Sequence, residues 1–222
     1  LEARISSYEL AFRMQTEAPE VVDISQETSE VQELYGMNDP VTAGFGRQCL
    51  LARRLVESGV RYTLLVHGVQ IGKHSWDDHG DVAGGMARHS REVDRPVAGL
   101  LADLKRRGLL EKTLVIWGGE FGRTPMLQSK SNGGAVNNVG RDHHKEAYCM
   151  LLAGGGVRGG ITHGRTDDLG YGSVEDPVHI HDLNATILHL LGLNHEQLTY
   201  KVQGRHFRLT DVHGRVLHDV LA

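Results

Sequence analysis

The feature that most constrains the fold is a short apolar run that ends in two glycines and a charged loop. Residues 114–117 are all apolar and rich in strand-forming side chains, and Glu120, Arg123 and Thr124 follow within a few positions. Such a run predicts a strand buried on both faces, as in a parallel sheet. Open α/β sheets keep their ligand sites at the carboxyl ends of such strands, so the loop is predicted to carry function. The alternative is that Glu120 and Arg123 only pair with each other across the turn.

The chain before this run predicts alternating helices and strands. Apolar residues at helical spacing predict helices over residues 3–17, 46–58 and 84–107. A second apolar run predicts a buried strand over residues 60–67. Because helices and strands alternate, the sequence predicts an α/β fold with neighbouring parallel strands.

The chain after the central run continues the pattern. Residues 126–140 are rich in Gly, Asn and Ser and predict a loop over the site, and residues 147–153 predict another strand. A later helix is predicted to begin at Asp182 as its N-cap, and a C-terminal hairpin is predicted to turn at His213 and Gly214.

A polar loop after the predicted strand at 60–67 carries a dense set of potential metal ligands. These are His74, Asp77, Asp78, His79 and Asp81. An Asp-x-His pair such as Asp77 and His79 can present both side chains on one side of an extended segment. Carboxylate oxygen and imidazole nitrogen together suit zinc or another divalent ion. The alternative is a solvated polar loop.

A second histidine group follows the loop at 126–140. His143 and His144 are adjacent, so in an extended chain their side chains point in different directions and one of them is the expected ligand. Arg141, just before them, is a candidate for holding a substrate anion. The alternative is a polar loop held by its own hydrogen bonds.

Overall charge gives no sign of a nucleic-acid partner. The net charge is −4 and the isoelectric point about 6.4, so the chain lacks the basic footprint that nucleic-acid binding requires. No stretch approaches the roughly 18 apolar residues that a transmembrane helix needs, so no transmembrane segment is predicted.

Three motifs together resemble a known bacterial family. They are WDDHGD, GEFGRTP and GRDHH, in this order along the chain. In addition, TLVIWGGEFGRTP resembles the strand that delivers a metal dyad in sulfatases, and HIHDLNATILHLLGL resembles a later sulfatase helix. On these motifs, from about residue 45 to the end, the chain is similar to domain-of-unknown-function family 1501. That family is placed in the alkaline phosphatase and sulfatase superfamily.

The resemblance implies a fold and a setting. The fold is an alkaline phosphatase-like, three-layer α/β/α sandwich with a mostly parallel sheet. Residues 1–222 would form a single α/β domain that is the C-terminal half of a longer domain. The superfamily's first Asp ligand and its nucleophile lie on an early strand, which nothing in residues 1–44 matches. Relatives often carry export signals, which implies a periplasmic or extracytoplasmic location.

The resemblance also implies a metal-dependent hydrolase of sulfate or phosphate esters. Its substrate would be a small-molecule or saccharide ester, and its cofactor a divalent metal, zinc or calcium or magnesium. Carried over by position, Asp77 and His79 resemble an Asp/His metal pair and Glu120 takes the place of the dyad's carboxylate. His143 or His144 resembles the late histidine ligand.

Phe121 departs from the superfamily pattern, since it stands where the dyad's His would be and cannot ligate a metal. Two alternatives therefore stay open. One is a non-catalytic member of the fold that binds an anion or a partner, and the other is an incomplete chain that lacks the nucleophile strand. The candidate catalytic residues are Arg123, Thr124 and Arg141, and Thr124 carries the only hydroxyl of the GEFGRTP motif.

Overall fold

The structure is a computed structural model that describes residues 2–68, 76–128 and 139–222. By its internal contacts the chain divides into two compact units, Leu1–Leu109 (unit 1) and Leu110–Ala222 (unit 2). The candidate ligand His74 and most of the loop predicted at 126–140 lie outside the described residues.

Unit 1 is helical. Its helices are α1 (Glu2–Val22), α2 (Ser29–Leu34), α3 (Ala43–Glu57) and α4 (Val82–Arg106), with a 3-10 turn at Ile24–Gln26. The three predicted helices are confirmed as α1, α3 and α4, although α1 runs five residues beyond the predicted end at 17. Among the helices that the structure describes, none combines the length and apolarity that crossing a bilayer requires.

A buried charge network joins the helices of unit 1. Arg53 is fully buried in α3, and its guanidinium lies 2.6 Å from Glu27 Oε1 and 2.6 Å from Glu57 Oε2. Its Nε lies 3.0 Å from Asp103 Oδ2 in α4, and the Tyr35 hydroxyl donates to the same carboxylate at 3.0 Å. Buried charges are costly unless they are paired, so this network favours one arrangement of α3 and α4.

Unit 2 consists of short strands and one longer helix. Its elements are β1 (Val115–Trp117), β2 (Gly122–Arg123), β3 (His143–His144), β4 (Leu151–Ala153), β5 (Arg165–Thr166), β6 (Ser173–Glu175), α5 (Ile180–Leu190), β7 (Thr199–Val202) and β8 (Arg205–Arg208), with 3-10 turns at Leu110–Lys112 and His218–Val220. The described strands form two-stranded sheets, β1 with β4, β2 with β3, β5 with β6 and β7 with β8. Every one of these pairs is antiparallel.

Strands β1 to β4 belong to one long antiparallel arm, residues 115–128 and 140–153. Strand β1 pairs with β4, Arg123 lies opposite His143 in the β2–β3 pair, and a bridge joins Gln128 to Gly140. The chain therefore runs outward along 115–128 and returns along 140–153, with a change of register between the two strand pairs. We call this element the arm.

The predicted α/β/α sandwich with a mostly parallel sheet is wrong. The described strands pair only antiparallel and two by two. The strand predicted at 60–67 does not form, and Tyr62 within it is 79% exposed. The run at 114–117 does contain a strand, but it is not buried on both faces, since Trp117 is 44% exposed. An apolar run indicates a strand, but the run alone does not specify whether its partner is parallel or antiparallel.

Helix α5 begins one turn earlier than predicted. Its N-cap is His179, whose Nδ1 accepts a hydrogen bond from the His181 N–H at 3.2 Å. Asp182 is the third helical residue and accepts from the His179 N–H at 3.2 Å, which completes a capping box. Asp182 also accepts from the Arg215 N–H at 2.8 Å, so one carboxylate holds both the helix start and a later segment.

The C-terminal strands also differ from the prediction. The hairpin is β7–β8, and its turn is formed by Gln203 and Gly204, with φ of 48° and 85°. Positive φ at both turn residues is typical of tight two-residue hairpins, so the predicted turn at 213–214 is wrong. The strand predicted at 147–153 is confirmed only at its end, as β4.

Candidate functional site

The arm brings two of the sequence motifs into contact. The Nδ1 atom of His143 lies 3.0 Å from Oε1 of Glu120. The contact follows from the pairing of β2 with β3, which places the GEFGRTP and GRDHH motifs side by side. A carboxylate oxygen and an imidazole nitrogen at this distance are both within reach of one cation.

Gly122 makes the close pairing of β2 and β3 possible. A Cβ atom at this position would lie 1.9 Å from the Ala147 carbonyl oxygen, which no side chain tolerates. The glycine of the GEFGRTP motif therefore has a packing role, two residues from Glu120. Next to it, the Phe121 ring meets the His143 ring edge-on, with centroids 6.3 Å apart. An apolar ring thus lies beside the candidate ligand.

The adjacent histidines of the GRDHH motif have different surroundings. His143 is exposed and contacts Glu120. His144 is buried, its Nε2 donates to the Tyr171 carbonyl, and its ring lies 4.9 Å from the Tyr171 ring. Successive side chains of a strand point to opposite faces, which explains the difference. His143 is therefore the better placed ligand of the two.

The three candidate catalytic residues lie in or beside the same strand pair. The Thr124 hydroxyl donates to the Met126 carbonyl at 3.1 Å, and the Thr124 N–H donates to the Asp142 carbonyl at 2.9 Å. Arg141 donates to the Thr124 carbonyl at 3.2 Å, and Arg123 is half-buried in β2. Thr124 and Arg141 thus stabilise the backbone of the arm.

The acidic residues of the polar loop in unit 1 have two roles: one pairs with a histidine, and the others stabilise the start of α4. Asp77 and His79 form a partly exposed pair, with Oδ1 and Nε2 2.7 Å apart. Asp81 caps α4 by accepting from the Gly84 N–H at 3.1 Å. Asp78 packs against the first turn of α4, since a Cβ at Gly85 would overlap its carboxylate. Among the described residues of this loop, Asp77 and His79 therefore keep the arrangement expected of a metal pair.

Unit 1 also holds a histidine–carboxylate cluster that the sequence analysis missed. The candidate ligand atoms of His67, His89 and Glu92 all lie within 4.8 Å of one another. Burial lowers the pKa of His67 and His89 adds to this, whereas Glu92 opposes it. Two of its members could have been suggested by their spacing, because His89 and Glu92 are three residues apart and share a face of a predicted helix. Nothing in the sequence pointed to His67 as their neighbour.

The comparisons with known proteins identify a family. A family model described as "Protein of unknown function (DUF1501)" matches residues 1–221. The match includes the three motifs and covers both units. The searches among curated proteins and among solved structures found no match.

Proposed function

Because the chain belongs to the DUF1501 family, we propose that it is a metal-dependent hydrolase of sulfate or phosphate esters. The motifs' resemblance to the alkaline phosphatase and sulfatase superfamily supports this reaction type. The observation that carries the proposal is the contact between Glu120 and His143. That contact unites two of the resembling motifs in one carboxylate–imidazole pair.

The donor chemistry fits a divalent ion such as zinc. Asp77 and His79 in unit 1 form one pair of candidate ligands, and Glu120 and His143 in unit 2 form another. Each pair combines a carboxylate with an imidazole. A bound ion would act as a Lewis acid on the transferred sulfate or phosphate group.

Arg123 is the candidate for binding the anionic oxygens of the ester. A guanidinium presents several donors in a fixed geometry, which suits sulfate and phosphate groups. Thr124 and Arg141 take a positioning role, because their side chains hold the arm's backbone. The substrate class is a small-molecule or saccharide ester, in an extracytoplasmic setting that follows from the family resemblance.

We propose that the chain forms part of a longer domain. The support is the exposure of strand-forming side chains, such as Tyr62 and Leu64 in unit 1 and Trp117 in β1. Large apolar side chains exposed in this way favour burial against another segment. In a Trp76→Phe background, a longer gene product is expected to show Trp117 fluorescence at shorter wavelength than residues 1–222 alone, and an identical spectrum would contradict this part of the proposal.

The decisive experiment is a turnover assay on the full-length gene product with an aryl phosphate and an aryl sulfate. Chelation is expected to abolish turnover of one of them, and the divalent ion is expected to restore it. His143→Ala and Glu120→Gln should each lower kcat/KM by about 100-fold or more, because loss of a ligand costs no less than loss of a residue that orients one. His206→Ala, an exposed histidine of β8, is the matched control and should behave as wild type. Full activity of both site variants would overturn the proposal.

A second candidate is a non-catalytic member of the family that binds an ion or an anion. The edge-on contact of Phe121 with His143 favours it, because an apolar ring occupies the place of a ligand. This candidate predicts bound metal without turnover of either ester. Phe121→His should then increase metal affinity, whereas turnover by the wild-type protein would exclude it.

A further inference from the structure

The cluster of His67, His89 and Glu92 forms a compact three-ligand group inside unit 1. The Nε2 atom of His67 lies 3.2 Å from Glu92 Oε2, and the Nδ1 atom of His89 lies 2.8 Å from the same oxygen. His89 and Glu92 are one turn apart on α4, and His67 comes from the segment after α3. Two imidazoles that converge on one carboxylate oxygen give the donor set of a zinc site with three protein ligands.

The cluster has an apolar aromatic wall. The Phe45 ring meets the His67 ring edge-on at 5.0 Å, and the Trp76 ring lies 5.0 Å from His89. His89 is fully buried, whereas the Glu92 side chain is 25% exposed. Glu92 also lines an open surface cavity of about 470 Å³ with Arg88 and Arg91 among its walls. The cluster is therefore enclosed on the histidine side and accessible at its carboxylate.

The hydrogen bond from Trp76 fixes the protons of the metal-free cluster. An indole N–H can only donate, and Trp76 Nε1 lies 2.9 Å from His67 Nδ1. His67 Nδ1 therefore accepts, and the proton of the neutral ring lies on Nε2, the nitrogen that is 3.2 Å from Glu92 Oε2. A carboxylate oxygen only accepts, so His89 donates its Nδ1 proton to Glu92 Oε2, which lies 2.8 Å away. Both rings therefore turn an N–H toward the same oxygen.

Metal binding requires a different arrangement of protons. A metal ion held by His67 Nε2, His89 Nδ1 and Glu92 Oε2 displaces a proton from each of the two nitrogens. Each neutral ring keeps one proton by carrying it on its other nitrogen. For His67 that nitrogen is Nδ1, which would then face the Trp76 N–H as a second donor. The Trp76–His67 hydrogen bond and a metal-bound His67 are thus mutually exclusive.

We propose that His67, His89 and Glu92 bind a divalent transition-metal ion such as Zn²⁺, and that the Trp76–His67 hydrogen bond must break when the ion binds. This site lies apart from the Asp77 and His79 pair and does not depend on the proposed hydrolase activity. Breaking the Trp76–His67 hydrogen bond lowers the metal affinity of the cluster by the free energy of one hydrogen bond. Metal binding therefore changes the contacts of the Trp76 indole.

The test uses Trp76 as its own reporter. The chain has two tryptophans, so Trp117→Phe leaves Trp76 as the single indole. Addition of Zn²⁺ is expected to change the Trp76 fluorescence with saturation, and His89→Gln and Glu92→Gln should abolish the change. His79→Ala should retain it. If His79→Ala loses the fluorescence change and the other two variants retain it, the signal comes from the Asp77 and His79 pair and the proposal is overturned.

Two further measurements keep the proposal testable if a buried variant fails to fold. Nitrogen-15 spectra of the wild-type imidazoles should show the His67 proton on Nε2 without metal and on Nδ1 with Zn²⁺. Trp76→Phe, which removes the opposing donor, should bind Zn²⁺ about three- to tenfold more tightly, as one net hydrogen bond predicts. Unchanged tautomers on addition of Zn²⁺, or an affinity of Trp76→Phe no higher than wild type, would contradict the proposal.

Discussion

The two units hold their histidine–carboxylate groups by different means. In unit 1, His89 and Glu92 stand one turn apart on α4, a helix tied to α3 by the buried Arg53 network. In unit 2, Glu120 and His143 are exposed and meet because the backbone of the arm is paired. The first geometry depends on side-chain packing and charge pairing, and the second depends on strand register.

This difference predicts what will disturb each group. A change in the buried charge network should weaken unit 1 as a whole, since the network joins elements distant in sequence. A change in the arm should act locally, because a shift of register moves side chains relative to their partners without unfolding a helix. The following variants separate the two cases.

The largest effect is expected from Asp103→Asn in unit 1. The Asp103 carboxylate is buried beside Arg53, and it accepts from the Tyr35 hydroxyl and from Arg107 Nε, each at 3.0 Å. Loss of its charge removes one of the three carboxylates that pair with the buried Arg53 guanidinium, which costs about 3 kcal/mol of unfolding free energy, the lower end of the range for breaking a buried pair. Urea unfolding followed by helical circular dichroism measures this. Glu30→Gln, an exposed partner of Arg106, should change stability by less than about 0.5 kcal/mol. Equal effects of the two variants would contradict the role of the network.

A smaller and local effect is expected from Gly122→Ala in the arm. The added Cβ would overlap the Ala147 carbonyl oxygen, and the strand pair must separate or shift at a cost of about 1–3 kcal/mol. The imidazole resonances of His143 should move, because its distance to Glu120 depends on this pairing. Gly119→Ala is the control, since a Cβ there meets its nearest atom at an ordinary 3.8 Å. Unmoved His143 resonances in Gly122→Ala would show that the Glu120–His143 contact does not depend on the pairing of β2 with β3.

Asp182→Ala tests an element of unit 2 outside the arm. The carboxylate accepts from the His179 and Arg215 N–H groups, so its loss should cost about 1 kcal/mol, as helix caps usually do. Thermal unfolding measures the loss, and Asp168→Ala, an exposed residue, is the control. The His143 resonances should stay in place, and their movement would show that the arm is not an independent element.

The smallest effect is expected from pH on Glu27. Burial raises the pKa of this carboxyl, but the hydrogen bonds from Arg54 and Arg53 lower it by more. The pKa of Glu27 therefore lies below the usual 4.5. A lowered folded-state pKa gives stability that is full above the unfolded pKa and is lost as pH falls through the folded pKa. The urea midpoint of the wild type should therefore fall more steeply below pH 4.5 than that of Glu27→Gln. Parallel profiles would contradict the assigned shift.

Local elements of the fold could be predicted from the sequence. Helices α3 and α4 follow from apolar periodicity, and the glycines after them, Gly59 and Gly108, have the left-handed φ of helix ends. The arm could not be predicted in the same way. The run at 114–117 indicates a strand, but β4, its partner, lies more than thirty residues later, and no local signal specifies an antiparallel return.

Glu120 and His143 were named as candidate ligands from the sequence, but their contact was not predicted. Ligand loops were expected to meet at one edge of a parallel sheet, whereas Glu120 and His143 meet because the arm is antiparallel. The His67 cluster was missed because its members come from two elements and only tertiary packing brings them together. Spacing within one helix can suggest His89 with Glu92, but it cannot suggest His67.

The most direct test of the central claim, that Glu120 and His143 are metal ligands, is the metal content of the purified protein. Glu92→Gln serves as the background, so that the unit 1 cluster does not contribute. Elemental analysis after dialysis should show less divalent metal in His143→Ala and in Glu120→Gln than in this background, whereas Glu175→Gln, an exposed carboxylate of β6, should match it. Equal metal content in all four proteins would contradict the claim.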